Sequence, residues 1–301
     1  MAKIPVISLF DRDTVKHLRF PFSFFLLPVF LFALSQTATI NWPAAILACL
    51  VLHLFIFPSS NGYNSYQDRD ESSIGGLKYP PKISENLYYV TLYLDLAGIL
   101  LALAVSPFFA LEVLIFIVMS RLYSYRKIRL KKYPVAGFLI VFIFQGAFVY
   151  LMALTSFILF PDANLFSANH LMGMAVASLF IGSIYPLTQI YQHEADKKDG
   201  VTSLSYQLGY KGTFLFSGIL FASGMLLLFL MFSIKKQYLA AILFIMSVLP
   251  VVILLIRWFG LVMKNIAHAN YENTMMFNRV SSWCMNVYFS ILILNNYLDF
   301  L

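Results

Sequence analysis

Residues 213–260 read TFLFSGILFASGMLLLFLMFSIKKQYLAAILFIMSVLPVVILLIRWFG. Two apolar runs, 213–233 and 237–260, stand on either side of Lys235-Lys236, and neither alternates apolar with polar residues. A helix needs about 20 apolar residues to cross the hydrocarbon core. Lipid offers backbone amides no partners, so a chain that crosses must do so as helices or a closed barrel, and unbroken runs select helices. Working outward, the pattern recurs at 21–37, 42–58, 87–105, 107–122, 134–157, 167–189 and 281–299. The reading is an all-α, polytopic integral membrane protein of about nine spans, organised as one domain over residues 1–301. The stretch 87–122 is nearly continuous, and Pro107 after Ser106 predicts the turn that divides it.

Composition agrees. The chain is 60% apolar and 12% charged, against about 45–50% and about 25% in a soluble domain. Its net charge of +7 does not indicate nucleic acid, because the basic residues lie in short loops between apolar runs rather than on a soluble face. Such residues fix orientation in the bilayer and favour anionic lipid head groups. An amino terminus in the cytoplasm leaves Lys235 and Lys236 as the basic residues outside and gathers the other loop lysines and arginines inside. The polar loops 59–86, 121–133 and 190–212 then open on the cytoplasmic face. Cys49 and Cys284 each sit in an apolar stretch, so neither a disulfide framework nor a cysteine metal site is expected. No removable signal peptide is read at the amino terminus.

The first polar loop contains Asn61, Asn64, Asp68, Arg69, Asp70 and Glu71, and continues to Lys78. On a helix Asn64 and Asp68 share a face at i, i+4, so their oxygens can converge on one hard cation. Magnesium suits such a site because it keeps waters and substrate phosphates among its ligands. The loop after the sixth span repeats the spacing with Gln192 and Asp196, followed by Lys197, Lys198, Asp199 and Gly200. Two such loops four spans apart suggest half-sites facing each other across a bundle, with Arg69, Lys197 and Lys198 available to neutralise phosphate oxygens. Within the spans, Asp95 lies roughly 12 Å into the third, where an ionisable group is either functional or bonded to a neighbouring helix. Glu112 is expected near interfacial water. Gln145, Asn169, His170 and Asn286 read as interhelical hydrogen-bonding groups, and His53 as a core histidine.

This arrangement resembles the UbiA family of intramembrane prenyltransferases, whose members carry an Asn-x-x-x-Asp-type loop after the second span and an Asp-x-x-x-Asp-type loop after the sixth. The likeness extends to His17-Leu-Arg19-Phe-Pro21 before the first span. Tyr123-Ser124 with Lys127 and Arg129 matches after the fourth, and Asp196 through Leu204 is the strongest correspondence. Aligned on Asn61, the next acid positions fall on Ser65 and Arg69; aligned on Asn64, Asp68 fits and Ser72 takes the third place. Gln192 stands where the second loop's first aspartate is expected.

The resemblance implies a helical bundle around an apolar chamber, in which magnesium links a prenyl diphosphate to the acidic loops and an isoprenoid passes to a small, aromatic acceptor. It implies catalytic roles for Asp68 and Asp196. Metal would be held by Asn64, Asp68, Asp70, Asp196 and Asp199. Substrate would be held by Asn61, Arg69, Lys78, Tyr123, Lys127, Gln192, Lys197 and Lys198. A non-catalytic polyprenyl-lipid-binding protein that retains the fold is the alternative of a different class, and a small-solute transporter is the third reading.

Overall fold

The computed structural model describes residues 9–37, 39–69, 71–157 and 163–298. Nine helical rods make up most of them: α1 Arg12–Ser35, α2 Trp42–Asp68, α3 Asn86–Val105, α4 Pro107–Ser124, α5 Pro134–Thr155, α6 Ala168–Gln189, α7 Leu204–Ile234, α8 Tyr238–Lys264 and α9 Tyr271–Leu298. The first eight are long and apolar enough to cross a membrane. The 28-residue α9 is long enough, but its buried face carries Thr274, Asn278, Ser281, Ser282 and Asn286, which dilute its apolar signal. The chain is a multi-pass integral membrane protein. Ser106 divides 87–122 as expected: its backbone is extended, its side chain accepts a hydrogen bond from Phe109 N, and Pro107 opens α4.

Several rods run further than their apolar runs. The Asp11 side chain accepts from Asp13 N and Thr14 N and so starts α1 before residue 21. The rod then breaks at Arg19, whose backbone is left-handed at φ 50°. A wide π-helical turn over Val51–Ile56 precedes Pro58 in α2. It accommodates the proline ring, which would otherwise meet the carbonyl four residues earlier. The helix therefore continues to Asp68, and the first ten residues of the loop expected at 59–86 are its last turns. The segment expected as a loop at 190–212 holds a short helix, His193–Lys198, and the start of α7, which is interrupted at Gly209 (φ 64°, ψ 179°), a conformation open to glycine.

The intramembrane acid of α3 is structural. Asp95 pairs with Arg121 of α4, and Ser59 Oγ of α2 donates to Asp95 Oδ1 at 2.5 Å. The guanidinium carbon of Arg121 lies 3.9 Å from the ring centroid of Tyr63. Three rods are thus tied at one polar knot that does not reach the cavity described below. Asp95→Asn keeps the shape but removes the charge, and should cost about 1.5–3 kcal/mol, the worth of a hydrogen bond to a charged group. Unfolding in detergent measures it. Glu112 does not reach the interface: it is 3% exposed and accepts from Thr155 Oγ1 of α5.

Candidate functional site

The ends of α2, α4 and α6 and the segments that follow them surround a cavity of about 260 Å³. Because α2 stays helical, Asn61, Asn64 and Asp68 share its inner face. Tyr123 and Ser124 from α4 lie opposite, followed by Arg129 and Lys131; the sixth rod leads into Gln192, Asp196 and Asp199.

Arg129 links the two acidic segments. Its side chain is 8% exposed. Nη2 donates to Asp68 Oδ1 at 3.0 Å and also pairs with Asp199, while Nη1 donates to the Asp199 carbonyl at 3.0 Å. Its backbone sits in the left-handed region at φ 46°, a conformation disfavoured for a residue with a Cβ. The second oxygen of Asp68 pairs with Lys131 Nζ, which also donates to Asn64 Oδ1 at 3.2 Å. That same amide oxygen accepts from Ser124 Oγ at 2.8 Å. Arg126 donates to the Asp68 carbonyl at 3.0 Å and pairs with Asp199 Oδ1 at 3.4 Å. Burial opposes the charge on Asp199, but the hydrogen bond from Arg129 and the charges of Arg129, Arg126 and Lys131 outweigh it, so this carboxyl sits below its ordinary range.

Gln192 Nε2 donates to Ser73 O at 3.2 Å and joins the second polar segment to the first. Arg19 reaches the same region from α1, donating to Asn61 O at 2.8 Å and Gly75 O at 3.1 Å. On the wall, the Tyr123 and Tyr185 hydroxyls are 2.6 Å apart, and Gln189 Nε2 donates to Tyr185 at 2.9 Å. Through Phe25, Ile181, Ile184 and Ser282 the polar cavity adjoins an apolar pocket walled by Val29, Phe32, Phe180, Met285 and Phe289.

Of the residues expected at the site, Asn61, Asn64, Asp68, Tyr123, Gln192, Asp196 and Asp199 line this one cavity. Others lie away from it. Arg69 follows the last turn of α2 in a left-handed conformation (φ 55°), which turns its side chain outward to Glu85 at 2.8 Å. Lys78 pairs with Glu272 at the start of α9. Lys127 is exposed in the turn after α4. Lys197 and Lys198 are exposed on the outer side of their short helix, Lys197 lying 5.7 Å from the Tyr206 ring centroid. Asp70 falls outside the described residues. In their place the cavity takes Arg19, Arg129 and Lys131 as its cations, with Asn278 and Ser282 of α9. Gln145, read as an interhelical group, also lines it.

Amide and carboxylate oxygens are hard donors suited to magnesium, which needs one or two protein carboxylates when a substrate supplies phosphates. Asp196, next to Gln192 on the cavity wall, fits that requirement. Asp68 does not: both of its oxygens are held by protein cations. Among the described residues, no three acidic, histidine or cysteine side chains cluster closely enough to hold a metal ion by themselves.

Comparison with known proteins agrees with this architecture. A UbiA homologue from Aeropyrum pernix K1 superposes with a TM-score of 0.68 at 16% identity, over 95% of this chain and 99% of that one. An Archaeoglobus fulgidus homologue bound to GPP and Mg2+ gives 0.62 at 18%, over 93% and 99%. A digeranylgeranylglyceryl phosphate synthase gives 0.58 at 19%, over 95% and 98%. At these identities the likeness concerns the fold. No curated protein sequence matches the chain. The model of the UbiA prenyltransferase family, in contrast, matches residues 22–278. With the match spanning most of the sequence, the chain belongs to the UbiA prenyltransferase family.

Proposed function

We propose that the protein transfers an isoprenoid group from a prenyl diphosphate to a small, electron-rich acceptor, an aromatic ring being the best suited. One observation carries the reading: a polar cavity holding Arg19, Arg129 and Lys131 shares the wall formed by Phe25, Ile181, Ile184 and Ser282 with an apolar pocket. A prenyl diphosphate has the matching two halves. The Archaeoglobus homologue is bound to GPP, and in another structure to DMAPP, with Mg2+ in both, which supports the assignment.

In this reading Arg129 and Lys131 bind the diphosphate and are held in place by Asp68, Asp199 and Asn64. Asp196 and Gln192 would hold magnesium, which supplies a Lewis acid for the leaving group when bound. Phe25, Phe32 and Phe289 pack the hydrocarbon chain and exclude water from the reacting carbon. The allylic carbon–oxygen bond breaks, and the diphosphate leaves with the electron pair. The acceptor's nucleophilic atom bonds the allylic carbon and releases a proton. The charge asymmetry of the loops supports a cytoplasmic side for the cavity.

A second reading, binding of a polyprenyl lipid without turnover, draws on the neutralisation of Asp68 by Arg129 and Lys131. Turnover separates the two. Purified protein is incubated with geranyl diphosphate, magnesium and a panel of phenolic acceptors. Diphosphate release with a prenylated product is expected; binding without release from any acceptor would sustain the second reading instead.

A further inference from the structure

The first acidic segment has the i, i+4 pair expected to face a cation, and a cation of the protein's own lies there. Lys131 Nζ is in contact with both Asn64 Oδ1, at 3.2 Å, and Asp68 Oδ2. Its side chain is 12% exposed. The position is built rather than incidental. Ser124 Oγ donates to Asn64 Oδ1 at 2.8 Å, and Arg129 takes the other oxygen of Asp68 at 3.0 Å. The backbone of Lys131 is fixed against the first turn of α5, where a Cβ on Gly137 would lie 3.1 Å from Lys131 Cα. Aligned on Asn64, the same segment has Ser72 where a further carboxylate would stand.

An ammonium has three N–H donors. Two of the Lys131 donors face Asn64 and Asp68, and no protein acceptor among the described residues takes the third. Arg129 Nε is likewise buried without a hydrogen-bond partner among the described residues. Both residues line the cavity. The third Lys131 donor suits a diphosphate oxygen, and a divalent cation cannot share the Asn64–Asp68 oxygens while the ammonium holds them.

We infer that Lys131 occupies the Asn64–Asp68 half-site in place of a metal ion, so that the diphosphate end of the substrate is held by an ammonium on one side and by a single divalent cation, at Asp196, on the other. This rests on the prenyl-diphosphate reading above. It implies that one lysine fixes the metal stoichiometry of the protein.

Manganese counting by electron paramagnetic resonance tests it, using the full-length purified protein and a non-hydrolysable geranyl diphosphate analogue. Wild type should bind one Mn2+ per chain with the analogue present. Lys131→Met, which removes the charge but keeps the stem, should bind two. With chelator present, the same variant should lose about tenfold or more in analogue affinity, as expected for losing a charge-assisted hydrogen bond. Two Mn2+ on wild type, or one on Lys131→Met with undiminished affinity in chelator, would overturn the inference while leaving the diphosphate site intact. Failure of wild type to bind the analogue with or without metal would overturn the underlying reading as well. The wild-type count decides alone if the variant does not fold.

Discussion

Replacing Arg129 by methionine is expected to cost about 3–5 kcal/mol of stability, the range for removing one partner from a buried ion pair. The side chains of Arg129 and Asp68 are 8% and 4% exposed, so the aspartate cannot recover its hydration in place. Lys131 still pairs with one of its oxygens, but the bridge from Asp68 to Asp199 is lost. The left-handed backbone at Arg129 also loses the contacts that hold it. Adding Asp68→Asn to Arg129→Met should restore part of the loss, because the uncompensated charge is then absent. Denaturation in detergent micelles measures both variants; equal stability of wild type and Arg129→Met would show that the bridge does not hold the acidic segments together.

The second large effect concerns turnover. Asp196→Asn is expected to lower kcat by about 10²–10³, the loss typical of removing one electrostatic stabiliser of a transition state. The substitution preserves the shape of a side chain on the cavity wall. It removes the carboxylate best suited to a divalent cation in the second polar segment. Stability should change by less than about 1 kcal/mol, in line with a substitution outside the packed core. Steady-state kinetics with prenyl diphosphate, alongside an unfolding curve, separates this outcome from a general loss of structure.

The membrane spans were legible because each apolar run is continuous, and Pro107 marked the division of 87–122. What the apolar pattern missed lies where helices present polar residues to the cavity. Residues 59–68 of α2 and 271–280 of α9 are helical but carry Asn61, Asn64, Asp68 and Asn278, so hydropathy ends the second span and begins the last about ten residues short of the helix. The i, i+4 spacing pairs Asn64 with Asp68 and Gln192 with Asp196, and all four line the one cavity. The basic side was harder. In a membrane protein every loop lysine or arginine is already explained by orientation, and nothing local distinguishes Arg129 from Lys127 two residues before it. Arg69 misled for a geometric reason: one residue beyond Asp68, it takes a left-handed backbone and leaves the face its neighbour occupies.

The central claim is that a prenyl diphosphate occupies the cavity between the two acidic segments. Equilibrium binding of a non-hydrolysable geranyl diphosphate analogue to the purified protein in magnesium, compared with Asp196→Asn, tests it most directly. Saturable binding to wild type, weakened about tenfold or more in the variant, is the result predicted here. Absence of saturable binding, or equal affinity in the two proteins, would contradict it.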